Sequence, residues 1–255
     1  MKIKDVIKFL EERFPLSLQE DWDNSGLQIG NIENDLTNIM ISLDIDEQTI
    51  QKAKEKSCNL IINHHPFLFS SIKSIDLNEE KGKIIKDLIK NDITVFAMHT
   101  NLDIGKGGVN DNLAKLLELR DISNLDTNNE NPMARFGYTD EITAYDFSKF
   151  VKEKLNCKGL ILYGDKNKKI KKVALCGGAG SDFISDAIKK DCDLIVTSDV
   201  KYHEAIDNCK KINIVDPGHF ASENHIIYMI KDLLEKNFAT GIYTCAKKDS
   251  YREFI

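Results

Sequence analysis

From residue 38 the chain alternates short, nearly continuous apolar runs with stretches whose apolar residues recur at helical spacing. NIMISLD, CNLIINHH and ITVFAMHTNLD read as strands buried on both faces, and EQTIQKAKEKS and EKGKIIKDLIKND between them read as amphipathic helices. Strands separated by helices of this length predict parallel βαβ units and an α/β fold. Beyond residue 170 the order returns as KKVALCGG, SDFISDAIKKD, CDLIVTSD, KYHEAIDNCKK and INIVDPGH. The two copies align without a gap from Ile39/Val173 to His64/Ser198. Ile50/Ile184, Ala53/Ala187, Lys56/Lys190, Cys58/Cys192, Leu60/Leu194 and Ile61/Ile195 are identical in that alignment. ITVFA then matches INIVD after a shorter connection. We read an internal duplication, which predicts two similar βαβ-containing lobes. Strands at 39–43, 59–63 and 93–97 should correspond to those at 173–177, 193–197 and 212–216.

The flanking segments complete the plan. MKIKDVIKFLEERF places Ile3, Val6, Ile7, Leu10 and Phe14 on one helical face, with no continuous apolar run of the kind a secretory signal carries. Between the copies, DISNLDTNNENPMARFGYTDE is polar and turn-rich, which sets the expected boundary between lobes 1–126 and 127–214. AYDFSKFVKEKLN then reads as another amphipathic helix.

Composition narrows the class of function without naming one. Of 255 residues, 42% are apolar and 30% charged, with a formal charge of −6 and scattered lysines. That is an ordinary globular composition; it demotes nucleic-acid binding, and no stretch is long enough to span a bilayer. The six cysteines are far apart, with no CxxC pair, and several lie in strand-like runs where the thiol acts as a small hydrophobe. Reduced thiols and a cytoplasmic location are expected.

Ligand sites in open α/β sheets form outside the carboxyl ends of the strands. Here His64 and His65 follow one strand, His99 and Asp103 another, and Asp216 and His219 the corresponding strand of the second copy. Adjacent strand residues point to opposite faces, so His64 and His65 converge only if the strand stops at Asn63 and the chain turns at Pro66. Such a pair suits two metal ions about 3.5–4 Å apart better than one. His219 and Glu223 stand four apart in GHFASENHIIYMIKDLL, on one face of a starting helix, and a carboxylate has two oxygens with which to bridge cations. Imidazole and carboxylate without thiolate favour zinc, iron, manganese or cobalt. GGAG at 177–180 ends a strand before a helix, so its N–H groups can receive a phosphate or simply make a tight turn. Asp199 and His203 read as cavity-lining residues or a helix-face pair, and His225 as structural.

Four ordered motifs, WDNSGLQIG (22–30), NHHP (63–66), HTNLD (99–103) and GHFASE (218–223), resemble the signatures of the Nif-three-like dinuclear-metal proteins, many described as GTP cyclohydrolase 1 type 2 homologues. The resemblance runs over essentially the whole chain and implies a Nif-three-like fold with two divalent metal ions per chain. It implies that His64 and His219 hold one ion, His65 and Asp103 the other, and Glu223 bridges. It further implies a toroidal homohexamer whose sites face an internal cavity, with residues 215–255 completing the first lobe. The chain matches the short form of the family, without an additional middle domain. His99 matches the motif beside the metals, as a proton carrier or a hydrogen-bond donor to a ligand, and WDNSGLQIG reads as a turn packing near the site rather than a substrate contact.

Two functions of different class follow. One is metal-assisted hydrolysis of a small molecule, a nucleotide or related heterocycle; in a GTP cyclohydrolase-type reaction C8 of the purine is attacked while His99 moves protons. The other is a non-catalytic metal-binding or regulatory hexamer.

Overall fold

The computed structural model of the chain describes residues 1–125 and 131–246; the expected boundary at 126/127 and the end of the segment 215–255 lie outside them. The chain forms two compact α/β units, the first comprising, of the described residues, Met1–Gly105 and 226–246, the second 106–125 and 131–225. Elements are numbered in chain order. Among the described residues no helix is long and apolar enough to cross a membrane.

The first unit contains α1 (Ile3–Arg13), β1 (Gly26–Ile29), β2 (Asn38–Ser42), α2 (Glu47–Glu55), β3 (Cys58–Asn63), α3 (Glu80–Lys90), β4 (Thr94–Ala97) and α4 (Thr100–Ile104), and later α10 (Ile226–Glu235) and β11 (Gly241–Cys245). Its sheet runs β1-β4-β3-β2-β11, with β1 alone antiparallel to its neighbour. The α2 helix begins where the Asp46 carboxylate accepts the Thr49 backbone N–H at 2.8 Å, and ends at Lys56 before Ser57 turns into the left-handed region. Met40, Ile50, Ala53, Ile61, Leu88 and Val95 join the two layers in one buried cluster. Each large aliphatic side chain so buried contributes about 1.5–3 kcal/mol.

The second unit contains α5 (Val109–Leu116), β5 (Arg120–Asn124), β6 (Arg135–Thr143), α6 (Ala144–Lys154), β7 (Ile161–Tyr163), β8 (Lys169–Leu175), α7 (Ile184–Lys189), β9 (Leu194–Val196), α8 (Tyr202–Asn208), β10 (Asn213–Asp216) and α9 (His219–Glu223). Its sheet runs β5-β6-β8-β9-β10-β7, with β8, β9 and β10 parallel and the rest antiparallel.

The central three strands repeat the alignment residue for residue. Met40 pairs with Ile61 and Ile61 with Val95; in the second unit Ala174 pairs with Ile195 and Ile195 with Ile214. The identical apolar pairs are all buried, and Lys56 and Lys190 both close their helices, followed by Ser57 and Asp191 at φ 50° and 52°. The repeat extends past the third strand, because α4 and α9 are both five-residue helices that start three residues after it. The single helix expected after Pro217 is therefore two, α9 and α10, with Asn224 and His225 between them.

Candidate metal centre

In the first unit the β3 strand stops where the sequence predicts. The backbone N–H groups of His64 and His65 both reach the Leu43 carbonyl, and the Asn63 side chain donates to the His65 carbonyl. This turn brings the two imidazoles to the same side, with ring centroids 5.0 Å apart and planes tilted by 44°. His99 follows β4 and caps α4, its ring centroid 5.2 Å from that of His64 and 5.8 Å from that of His65. Ligand atoms of His64, His65 and His99 all lie within 4.8 Å of one another. Asp103, on the first turn of α4, is buried with its Oδ1 3.6 Å from His64 Nε2.

In the second unit α9 presents His219 and Glu223, with Nε2 and Oε2 3.0 Å apart. Glu223 is buried against the GGAG turn. A Cβ on Gly178, whose φ is +64°, would stand 2.1 Å from Glu223 Oε1, so only glycine leaves room for the carboxylate. Three of the turn's four N–H groups are engaged: Gly177 donates to Asn110 Oδ1 at 2.8 Å, Gly178 to Ser222 Oγ at 2.9 Å and Gly180 to Thr197 Oγ1 at 3.0 Å. These contacts favour the tight-turn reading of GGAG, with Gly178 packed against Glu223. Asp199 precedes α8 and forms no helix-face pair with the exposed His203; its carboxylate accepts from His219 Nδ1 at 2.6 Å.

One pattern unites the histidines at these strand ends. His64 Nδ1 donates to the Met98 carbonyl at 2.7 Å, His65 Nδ1 to Asp44 Oδ1 at 2.7 Å, His99 Nδ1 to Asp23 Oδ1 at 2.7 Å, and His219 Nδ1 to Asp199 Oδ2. A neutral ring with its proton on Nδ1 carries its lone pair on Nε2, the arrangement that metal-binding histidines adopt. His225 is the internal control. Its Nε2 donates to the Ser222 carbonyl at 2.9 Å and its Nδ1 accepts from Asn112 at 2.8 Å, a tautomer fixed for structure. His64 Nε2 and Asp103 Oδ1 stand 3.6 Å apart, and His219 Nε2 and Glu223 Oε2 3.0 Å apart, close enough for each pair to ligate one cation. The donor types fit a divalent transition metal.

The sequence names the candidate ligands but misses their supports. Asp23 lies within the WDNSGLQIG motif, Asp44 ends the β2 run and Asp199 stands opposite His65 in the repeat, yet the sequence alone does not say that each meets a histidine Nδ1. Asp23 is the most buried of the three. Burial would push its carboxyl up, but hydrogen bonds from His99 and Thr100 and the charge of His99 hold it well below the usual carboxylate range. It remains a carboxylate, orienting His99 and stabilising that ring whenever it takes up a proton.

Comparison with known proteins agrees with the fold. The family model Duf34/NIF3 (NGG1p interacting factor 3) matches residues 1–249. A GTP cyclohydrolase 1 type 2 homolog of Clostridium perfringens is 36% identical, over 100% of this chain and 99% of its own. One from Clostridium acetobutylicum is 38% identical over 96% and 94%. The crystal structure of a hypothetical protein of Staphylococcus aureus superposes with a TM-score of 0.93 at 29% identity, over 100% of this chain and 99% of the other. With the family match spanning residues 1–249, this protein belongs to the Duf34/NIF3 family.

Proposed function

We propose that the protein binds two divalent metal ions and uses them to hydrolyse a small molecule, a nucleotide or related heterocycle. The observation that carries this reading is the shared Nδ1 anchoring of His64, His65, His99 and His219, set against the opposite tautomer of His225. In this proposal His64 and His219 would hold one ion and His65 and Asp103 the other, with Glu223 shared between them. When bound, such ions supply Lewis acidity and water activation near neutral pH.

The chain's own groups complete the chemistry. Asp44 and Asp199 fix the orientation of His65 and His219 and raise the basicity of their Nε2 atoms. His99 Nε2 accepts a proton from the reacting group and returns it to the leaving group, with Asp23 balancing the charge of the imidazolium. The similarity to the Clostridium GTP cyclohydrolase 1 type 2 homologs supports a nucleotide as the first substrate to try. The same resemblance supports a homohexamer, which light scattering over a wide concentration range tests; a monomer throughout refutes it.

The deciding experiment is turnover of a nucleotide panel by protein loaded with zinc, iron, manganese or cobalt, with His65→Ala as control. Metal-dependent hydrolysis that is lost in the control is expected. Tight metal binding without turnover of any nucleotide would favour the non-catalytic metal-binding hexamer.

A further inference from the structure

The WDNSG segment carries more polar connections than a turn needs for its own stability. The Asp23 carboxylate takes His99 Nδ1 and the Thr100 N–H, the latter at 3.0 Å, and accepts the Ser25 hydroxyl at 2.9 Å. Asn24 Nδ2 donates to the Leu68 carbonyl at 2.7 Å. Gln28 completes the link, donating to the Asn24 carbonyl at 2.7 Å and accepting the Leu68 N–H at 3.0 Å. Two loops are thereby tied to each other and to His99.

These supports hold up two aromatic rings that are not themselves buried. Trp22 is 59% exposed and Phe69 49%, although each is next in sequence to a tightly bonded residue, Asp23 or Leu68. Their ring centroids are 6.0 Å apart with planes at 58°. Both meet His99 edge-on, Trp22 at 6.0 Å and Phe69 at 6.2 Å. Exposed rings on a rigid mount lose the benefit of burial and gain preorganisation, the usual design of a surface that stacks a ligand.

We propose that Trp22 and Phe69 form an aromatic wall that binds the planar heterocycle of the substrate, directing its reacting end toward His99. This deepens the function proposed above and rests on its small-molecule reading. The 58° angle makes the wall L-shaped: one ring offers its face for stacking and the other contacts the edge of the same heterocycle. The Asp23 carboxylate links the wall to the proton carrier, because it orients His99 and anchors the turn that presents Trp22. A binding role therefore explains in one step why the turn is polar inside and aromatic outside.

Trp22 is the only tryptophan of the chain, so its emission reports on the wall directly. Metal-loaded protein is titrated with guanosine, adenosine and cytidine, and with ribose 5-phosphate and inorganic triphosphate as compounds without a ring system. Excitation at the red edge of the indole band avoids nucleobase absorption. At least one nucleoside should change Trp22 emission saturably while the ring-free compounds do not. Phe69→Ala should weaken that nucleoside about tenfold, and Trp22→Leu should do the same by calorimetry. Both variants remove half-exposed rings, and circular dichroism confirms that they fold. No response to any nucleoside, or affinities within twofold of wild type in both variants, overturns the wall. So does a change of oligomeric state with unchanged nucleoside affinity, since the rings would then be a protein contact. Turnover is read separately. Hydrolysis without a Trp22 response sinks the wall alone, and a saturable response without hydrolysis sinks the catalytic reading alone.

Discussion

The end of β3 with α4, and the end of β9 with α9, occupy equivalent places in two sheets of identical central register, yet they carry opposite chemistry. In the first unit the strand end supplies imidazoles, His64 and His65, and the short helix supplies a carboxylate, Asp103. In the second the short helix supplies both donors, His219 and Glu223, while the strand end supplies supports. Ser198 stands where His64 does and lies 3.1 Å from Ser222 Oγ; Asp199 stands where His65 does and anchors His219. Asp199 adopts φ 55°, a conformation that aspartate tolerates better than most residues. A duplicated frame thus determines where polar groups can stand, not which residue type each position carries.

If that division is right, the most damaging change is to a ligand of the second unit. Glu223→Gln keeps the shape but replaces a carboxylate with an amide that bridges cations poorly, and most of the metal should be lost. Elemental analysis that finds two equivalents still bound would refute the bridge. Next comes the glycine seat. Gly178→Ala combines a left-handed backbone with a Cβ driven into the Glu223 carboxylate, and should cost about 3 kcal/mol of stability in denaturant unfolding. A change under about 1 kcal/mol would show that the seat is not tight.

The supports should matter less, and equally in the two units. Asp44→Ala and Asp199→Ala each free one histidine ring, and each should weaken metal affinity about 10–100-fold in competition with a chelator. If only one of them does so, the two units are not built alike. The smallest effect concerns Asp23. Its folded pKa lies below its ordinary value of 3.8, so its contribution is present at neutral pH and is lost as pH falls below about 4 toward the folded value. Asp23→Asn should therefore be less stable at neutral pH, by about 1–3 kcal/mol, with a shallower loss of stability in acid. Parallel acid limbs for the two proteins would remove Asp23 from that account.

Hydrophobic pattern alone located β2, β3 and β4 and their counterparts β8, β9 and β10. Apolar runs of this kind have no stable place except a two-sided parallel sheet, and the matched Ile61 and Ile195 are buried in equivalent registers. The histidines and carboxylates were legible too, since polar residues directly after such strands have few other reasons to be there. What the sequence left open was every choice made by contact between distant segments. GGAG is compatible with a phosphate cradle or a tight turn, and it is the packing of Gly178 against Glu223, with Asn110, Ser222 and Thr197 on three of the turn's N–H groups, that favours the turn. Asp23, Asp44 and Asp199 are ordinary acids in the sequence; their roles exist because folding brings each within hydrogen-bond distance of one Nδ1. Local spacing determines which face of a strand or helix a residue can use, but the partner it meets there is set by tertiary structure, because hydrogen bonds depend on ångström distances that sequence separation does not encode.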